Sequence, residues 1–167
     1  MRSISFCVVG FLFSIVMSNP ILAETGKSDI SFLGTLRASP CIVDNDEVEF
    51  DFGDVNINDF PVTGPWIQNA ITFSNCPEST SKIQATFKGQ PSEDDPVYGY
   101  KNSGSAKNVS ILLDKSGANI GLGNGRTCEI DIANNQAKLL LSARLKKAQG
   151  ATPGSIQAQV QVTFTYH

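Results

Sequence analysis

From Gly154 onward the chain alternates without a break. Ile156, Ala158, Val160, Val162, Phe164 and Tyr166 are apolar or aromatic, and Ser155, Gln157, Gln159, Gln161, Thr163 and Thr165 between them are polar. Successive side chains on a strand point to opposite faces, so this period of two predicts a long C-terminal β-strand with its apolar face inward. Pro153-Gly154 marks where it begins. No turn and second run come after it, so the pattern predicts that one neighbour of this strand is supplied from elsewhere.

The same period recurs upstream in short runs. Val48, Phe50 and Phe52 alternate with Glu47, Glu49 and Asp51, and Ile71 and Phe73 lead into Cys76. Ile83, Ala85 and Phe87 form the next run, followed by Val109, Ile111 and Leu113, then Cys128, Ile130 and Ile132, then every second residue from Ala137 to Leu145. Turn residues such as Gly53-Asp54, Gly89 and Gly117 separate them, and no amphipathic helix of useful length occurs. Many short strands at this spacing predict an all-β, antiparallel sandwich or barrel, with a sandwich closed by one disulfide the preferred form.

The first residues read differently. Arg2, the apolar run Ile4–Met17 and Ile21-Leu22-Ala23 have the layout of a secretory signal peptide over residues 1–23. The run is too short to span a bilayer as a helix, and the expectation is an exported, soluble mature chain from Glu24, long enough for one domain with a core. Within residues 24–33, Gly26, Ser28, Ile30 and Phe32 share one face, half apolar and small at one end. By pattern alone a frayed N-terminus is the plainer account of this leader.

Composition narrows the chemistry. The net charge of −3 is spread over interspersed signs, which points to neither nucleic acid nor an anionic membrane as partner. Of four cysteines, Cys7 leaves with the signal peptide. In an oxidising compartment Cys41 and Cys76, each beside a proline and a strand-like run, are the natural pair, contributing about 3–4 kcal/mol on the chain-entropy model. Cys128 keeps phase with Ile130 and Ile132, as a buried thiol would; a reactive or intermolecular thiol is the alternative, with only Arg126 at hand to activate it.

An enzyme is not expected. The one histidine is His167, so no Ser-His-Asp or Cys-His pairing can be assembled in a pocket. The mature cysteines lack zinc-ligand spacing, and no metal or cofactor is expected. Glu93-Asp94-Asp95 reads as a solvated loop, and Gly117, Gly121, Gly123 and Gly125 do not open a helix after a strand as a phosphate loop would. Asn108-Val109-Ser110 matches a glycosylation acceptor at chance frequency. Trp66 beside Pro65 suits either sugar stacking or packing.

The motifs in order resemble a family. Asn75-Cys76-Pro77 with Thr80–Ile83 and Ala85-Thr86-Phe87 resembles the second-cysteine region of type 1 fimbrial subunits. Tyr100-Lys101-Asn102, Gly104, Ala106, Asn108, Leu113-Asp114 and Gly117 resemble the following stretch of its minor, tip-adaptor pilins. Phe52-Gly53-Asp54-Val55, Gly154 and the penultimate Tyr166 are similar to further signatures of these chaperone–usher pilins.

The resemblance implies an incomplete immunoglobulin-like β-sandwich lacking its final strand and completed by donor-strand complementation. A periplasmic chaperone lends the strand first; at the outer-membrane usher, the N-terminal extension of a neighbouring pilin subunit replaces it. On this reading residues 24–33 become the donor strand, with Gly26, Ser28, Ile30 and Phe32 facing a groove, and residues 34–167 the pilin domain. Gly154, Ile156, Ala158, Val160, Val162, Phe164 and Tyr166 line the acceptor groove, and His167 is the chaperone anchor. Burying Ile30 and Phe32 would contribute about 3–6 kcal/mol. The implied role is a structural subunit of a surface fimbrium, exported through the periplasm, near the tip with a tip adhesin among its candidate neighbours, and supporting adhesion. Its competitors are a major shaft pilin, a self-complemented subunit, and a secreted carbohydrate-binding module using Trp66 or the Glu93–Tyr100 loop.

Overall fold

The structure, a computed structural model, describes residues 40–118 and 120–167. The expected signal peptide, the donor residues Gly26, Ser28, Ile30 and Phe32 and the boundary at residue 34 lie outside them. In chain order the strands are β1 (Ile42–Val43), β2 (Ile67–Ser74), β3 (Lys82–Gly89), β4 (Gly99–Lys101), β5 (Lys107–Lys115), β6 (Ile120–Gly121), β7 (Thr127–Asp131), β8 (Ala137–Thr152) and β9 (Val160–Tyr166). Every pairing is antiparallel. One sheet runs β1-β2-β8-β5-β4 with β6 beside β5, and a second runs β7-β3-β9.

The core lies between the two sheets. Its members are the alternate residues that the hydrophobic pattern puts on one face: Ile71 and Phe73 of β2, Ile83, Ala85 and Phe87 of β3, Ile111 and Leu113 of β5, Cys128 and Ile130 of β7, and Leu139, Leu141, Ala143 and Leu145 of β8. Each fully buried large side chain contributes roughly 1.5–3 kcal/mol of transfer free energy. Cys41 and Cys76 are bonded, joining the residue before β1 to the start of the β2–β3 connection, and both are buried. Tyr100 fills the centre from β4, 1 % exposed, with its hydroxyl donating to the Leu122 carbonyl at 2.6 Å; burial pushes its phenol up to about 12.

Two sequence expectations change. Val48, Phe50 and Phe52 do not form a strand: residues 45–52 make no ladder, although their alternation survives as half-buried apolar and exposed acidic positions. The terminal strand is shorter than its pattern. Its ladder begins at Val160, because residues 155–157 bond instead to the loop at 102–106. Ala158, expected on the inner face, is exposed. Asn108, of the chance glycosylation match, is tied up within the fold. It sits at a bulge between β5 and β8 with φ 56°, and its side-chain amide donates to the carbonyls of Gln149 and Gly150 at 3.1 and 3.0 Å.

Candidate strand-acceptor groove

Among the described residues the terminal strand pairs on one side only, with β3. The His167 amide donates to the Lys82 carbonyl at 2.9 Å and the Lys82 amide to the His167 carbonyl at 3.2 Å. Bonded pairs alternate along an antiparallel ladder, so Thr165, Thr163 and Gln161 are the other β9 residues whose amides face β3. The N–H and C=O groups of Val160, Val162, Phe164 and Tyr166 therefore point to the opposite edge, where no partner strand lies among the described residues.

The side chains of those four residues turn inward and remain only half-buried, whereas Ile83, Ala85 and Phe87 on the neighbouring strand are fully buried. Phe164 meets Phe73 of the facing sheet edge-to-face, with centroids 4.9 Å apart. The Tyr166 hydroxyl reaches the Cys41 carbonyl at 3.5 Å and so links β9 to the start of the 41–55 segment; burial raises its phenol above the ordinary value.

That segment forms the second wall. Val48, Phe50, Phe52 and Val55 are half-buried against the same core, and Glu47, Glu49 and Asp51 face solvent. Its backbone is held locally: the Asn69 side chain donates to the Glu49 carbonyl at 2.8 Å, and the Gly53 amide, at φ 61°, donates to the Asp51 carboxylate at 2.8 Å. Between this wall and the stretch before β9 lies a cavity of about 530 Å³, whose apolar lining includes Phe50, Phe52, Val55, Val109, Leu145 and Ile156. Two apolar rows thus flank one lane over the core.

The far end of the lane is fixed by loop chemistry. The Ser103 amide donates to the Gln157 carbonyl at 2.7 Å, the Gln157 amide to the Asn102 side chain at 2.8 Å, and the Ala106 amide to the Ser155 carbonyl at 3.1 Å. Gly154 is exposed, yet the backbone of Ser105 and Ala106 occupies the space a Cβ would need. At the other end His167 is exposed, its carbonyl also accepting the Ser81 amide at 2.7 Å, so the chain end is fastened to the start of β3.

The remaining candidates stand apart from the lane. Cys128 is buried and unbonded, and burial, partly offset by Lys115, pushes its thiol up, away from reactivity. Trp66 is 40 % exposed and stacked by the Arg144 guanidinium at 4.1 Å. In the acidic loop Glu93 pairs with Lys101 at 2.9 Å and Asp95 with Lys146 at 2.8 Å. Among the described residues no three His, Cys, Asp or Glu side chains converge as metal ligands. The 48–55 wall was missed as part of the site; its signal was present in the same period-two alternation, read only as a strand.

A two-sheet sandwich of this kind, with an open ladder edge over a half-covered core, is the architecture of a pilin domain. The family model described as fimbrial protein matches residues 30–167. Protein FimG of Escherichia coli K12 is 30 % identical over 96 % of this chain and 98 % of its own, and the S-fimbrial adhesin protein SfaS of E. coli O6:K15:H31 is 30 % identical over 86 % and 88 %. Among solved structures, a chaperone–usher pilus subunit superposes with a TM-score of 0.66 at 18 % identity over 87 % of this chain and 99 % of its own, and the P pilus rod subunit PapA with 0.65 at 17 % over 77 % and 100 %. The chain belongs to the fimbrial protein family: it is a structural subunit of a fimbrium, not an enzyme, with the immunoglobulin-like fold of chaperone–usher pilins.

Proposed function

We propose that this subunit polymerises by donor-strand exchange along the chaperone–usher route, as a minor, tip-adaptor pilin. The observation that carries the reading is the edge of β9, open among the described residues, whose outward amides belong to the residues with half-buried side chains. Strand addition at such an edge satisfies the backbone and completes the core in one step; chaperone–pilin complementation is itself an established instance of this mode. The strand entering the lane comes first from a periplasmic chaperone, for which His167 is the anchor, and then from a neighbouring pilin at the outer-membrane usher. Residues 24–33 of this chain serve the subunit already in place on its other side, with Gly26, Ser28, Ile30 and Phe32 facing that groove. The minor, tip-adaptor role draws on the similarity to FimG over nearly the whole length.

Two variants test this in cells producing the whole fimbrial system. Val162→Arg places a charge in the lane and is expected to abolish acceptance of a donor, so that fibre growth stops at this subunit. Deletion of residues 24–33 is expected to leave acceptance intact and abolish donation. Normal incorporation and onward growth with either variant contradicts the assignment.

A further inference from the structure

The lane is electrically one-sided. No lysine or arginine occurs between Arg37 and Lys82, and within that interval Asp44, Asp46, Glu47, Glu49, Asp51 and Asp54 carry the wall. Glu47, Glu49 and Asp51 are all exposed, one at every second residue, and none of the three forms a salt bridge among the described residues. The opposite wall is neutral on its outer face, with Gln161, Thr163 and Thr165. Resting on the donor-strand reading, we propose that this acidic row selects the occupant of the lane: a donor segment of another subunit with lysine or arginine at its solvent-facing positions.

The argument is one of cross-strand neighbours. A strand laid between the walls sends alternate side chains into the core and the others outward. The outward row then stands beside Glu47, Glu49 and Asp51 at sheet spacing. Opposite charges placed side by side on neighbouring strands attract and like charges repel, and the preference accumulates along the row. A donor with the right core-facing residues but acidic outer ones meets repulsion at each step. The apolar rows therefore accept a strand, and the carboxylate row discriminates among strands, which also raises the encounter rate of basic donors at low salt. The leader of this chain has Thr25, Lys27, Asp29 and Ser31 at its outward positions, with no net charge, so it is not the donor this wall favours.

The test uses the mature chain in complex with its chaperone, and displacement of the chaperone by synthetic peptides of residues 24–33. Gly26, Ser28, Ile30 and Phe32 are kept in all peptides, while Thr25, Lys27 and Asp29 are all lysine, all serine or all glutamate. The lysine peptide is expected to displace the chaperone about tenfold faster than the serine peptide, and the glutamate peptide more slowly still, with the three converging near 1 M salt, where the screening length is about 3 Å. In an E47K/E49K/D51K variant the order is expected to invert. Equal rates for all three peptides on the native chain at low salt overturn the charge selection while leaving the groove standing. Failure of every peptide to enter overturns both the selection and the groove on which it rests.

Discussion

Gly154 sits where two backbone segments touch. A methyl group there meets the main chain of Ser105 and Ala106, which cannot swing aside as a flexible side chain would. Gly154→Ala is expected to destabilise the complemented subunit by about 1–3 kcal/mol, the usual cost of overpacking, measured by thermal or denaturant unfolding. Asp95 shows the other residue-level effect. Burial alone pushes its carboxyl up, but the Lys146 ammonium at 2.8 Å and the backbone amides of Tyr98 and Val97 outweigh it and hold the group below the ordinary carboxylate range. A carboxyl with a lower pKa folded than unfolded contributes stability that is complete above its unfolded value of about 3.9 and drains away as pH falls through the folded value. Unfolding free energy should therefore decline on acidification below about pH 4, and Lys146→Met should flatten that decline. An unchanged acid slope in the variant would mean that the pair does not carry this linkage.

At the scale of elements, the two edges of the small sheet are treated differently. On β7 the Lys115 ammonium donates to the Glu129 carbonyl at 2.6 Å, and Glu129 also pairs with Lys82, so charged groups occupy that edge. Such blunting guards exposed strands against chance pairing. Lys115→Ser is expected to increase self-association through β7, read by light scattering of the complemented subunit, with no change in strand acceptance at β9. Most strands were legible beforehand, because Ile71–Phe73, Ile83–Phe87, Val109–Leu113, Cys128–Ile130 and Ala137–Leu145 each alternate on a buried face and find a partner in the same chain. The segment at Val48–Phe52 alternates equally well, yet a ladder needs a neighbour as well as a pattern, and alternation carries no information about the neighbour. Residues 154–159 were misjudged for a different reason. Asn102, Ser103 and Ser105 offer their backbone and side chains as local partners, a competition that a hydrophobic period cannot register. Strands β4 and β6, at three and two residues, are too short for any period to mark.

For the whole molecule, the two sheets close over a core that is complete beneath β3 and half-covered beneath β9. The inward alternation of Val160, Val162, Phe164 and Tyr166 was visible in the sequence. The apolar row at Val48–Val55 on the same core was not placed there, since it lies far off in the chain and looks like an ordinary strand. On the proposed donor-strand reading, fimbrial assembly follows from this half-covered core: the subunit is finished by a strand it receives. The most direct measurement is residue-resolved amide hydrogen exchange of β9 in the assembled fibre. If a donor strand occupies the lane, Val160, Val162, Phe164 and Tyr166 exchange as slowly as Gln161, Thr163 and Thr165, which bond to β3. If the fibre instead shows fast exchange at the four even positions and slow exchange at the odd ones, no strand has been added there, and the account is contradicted.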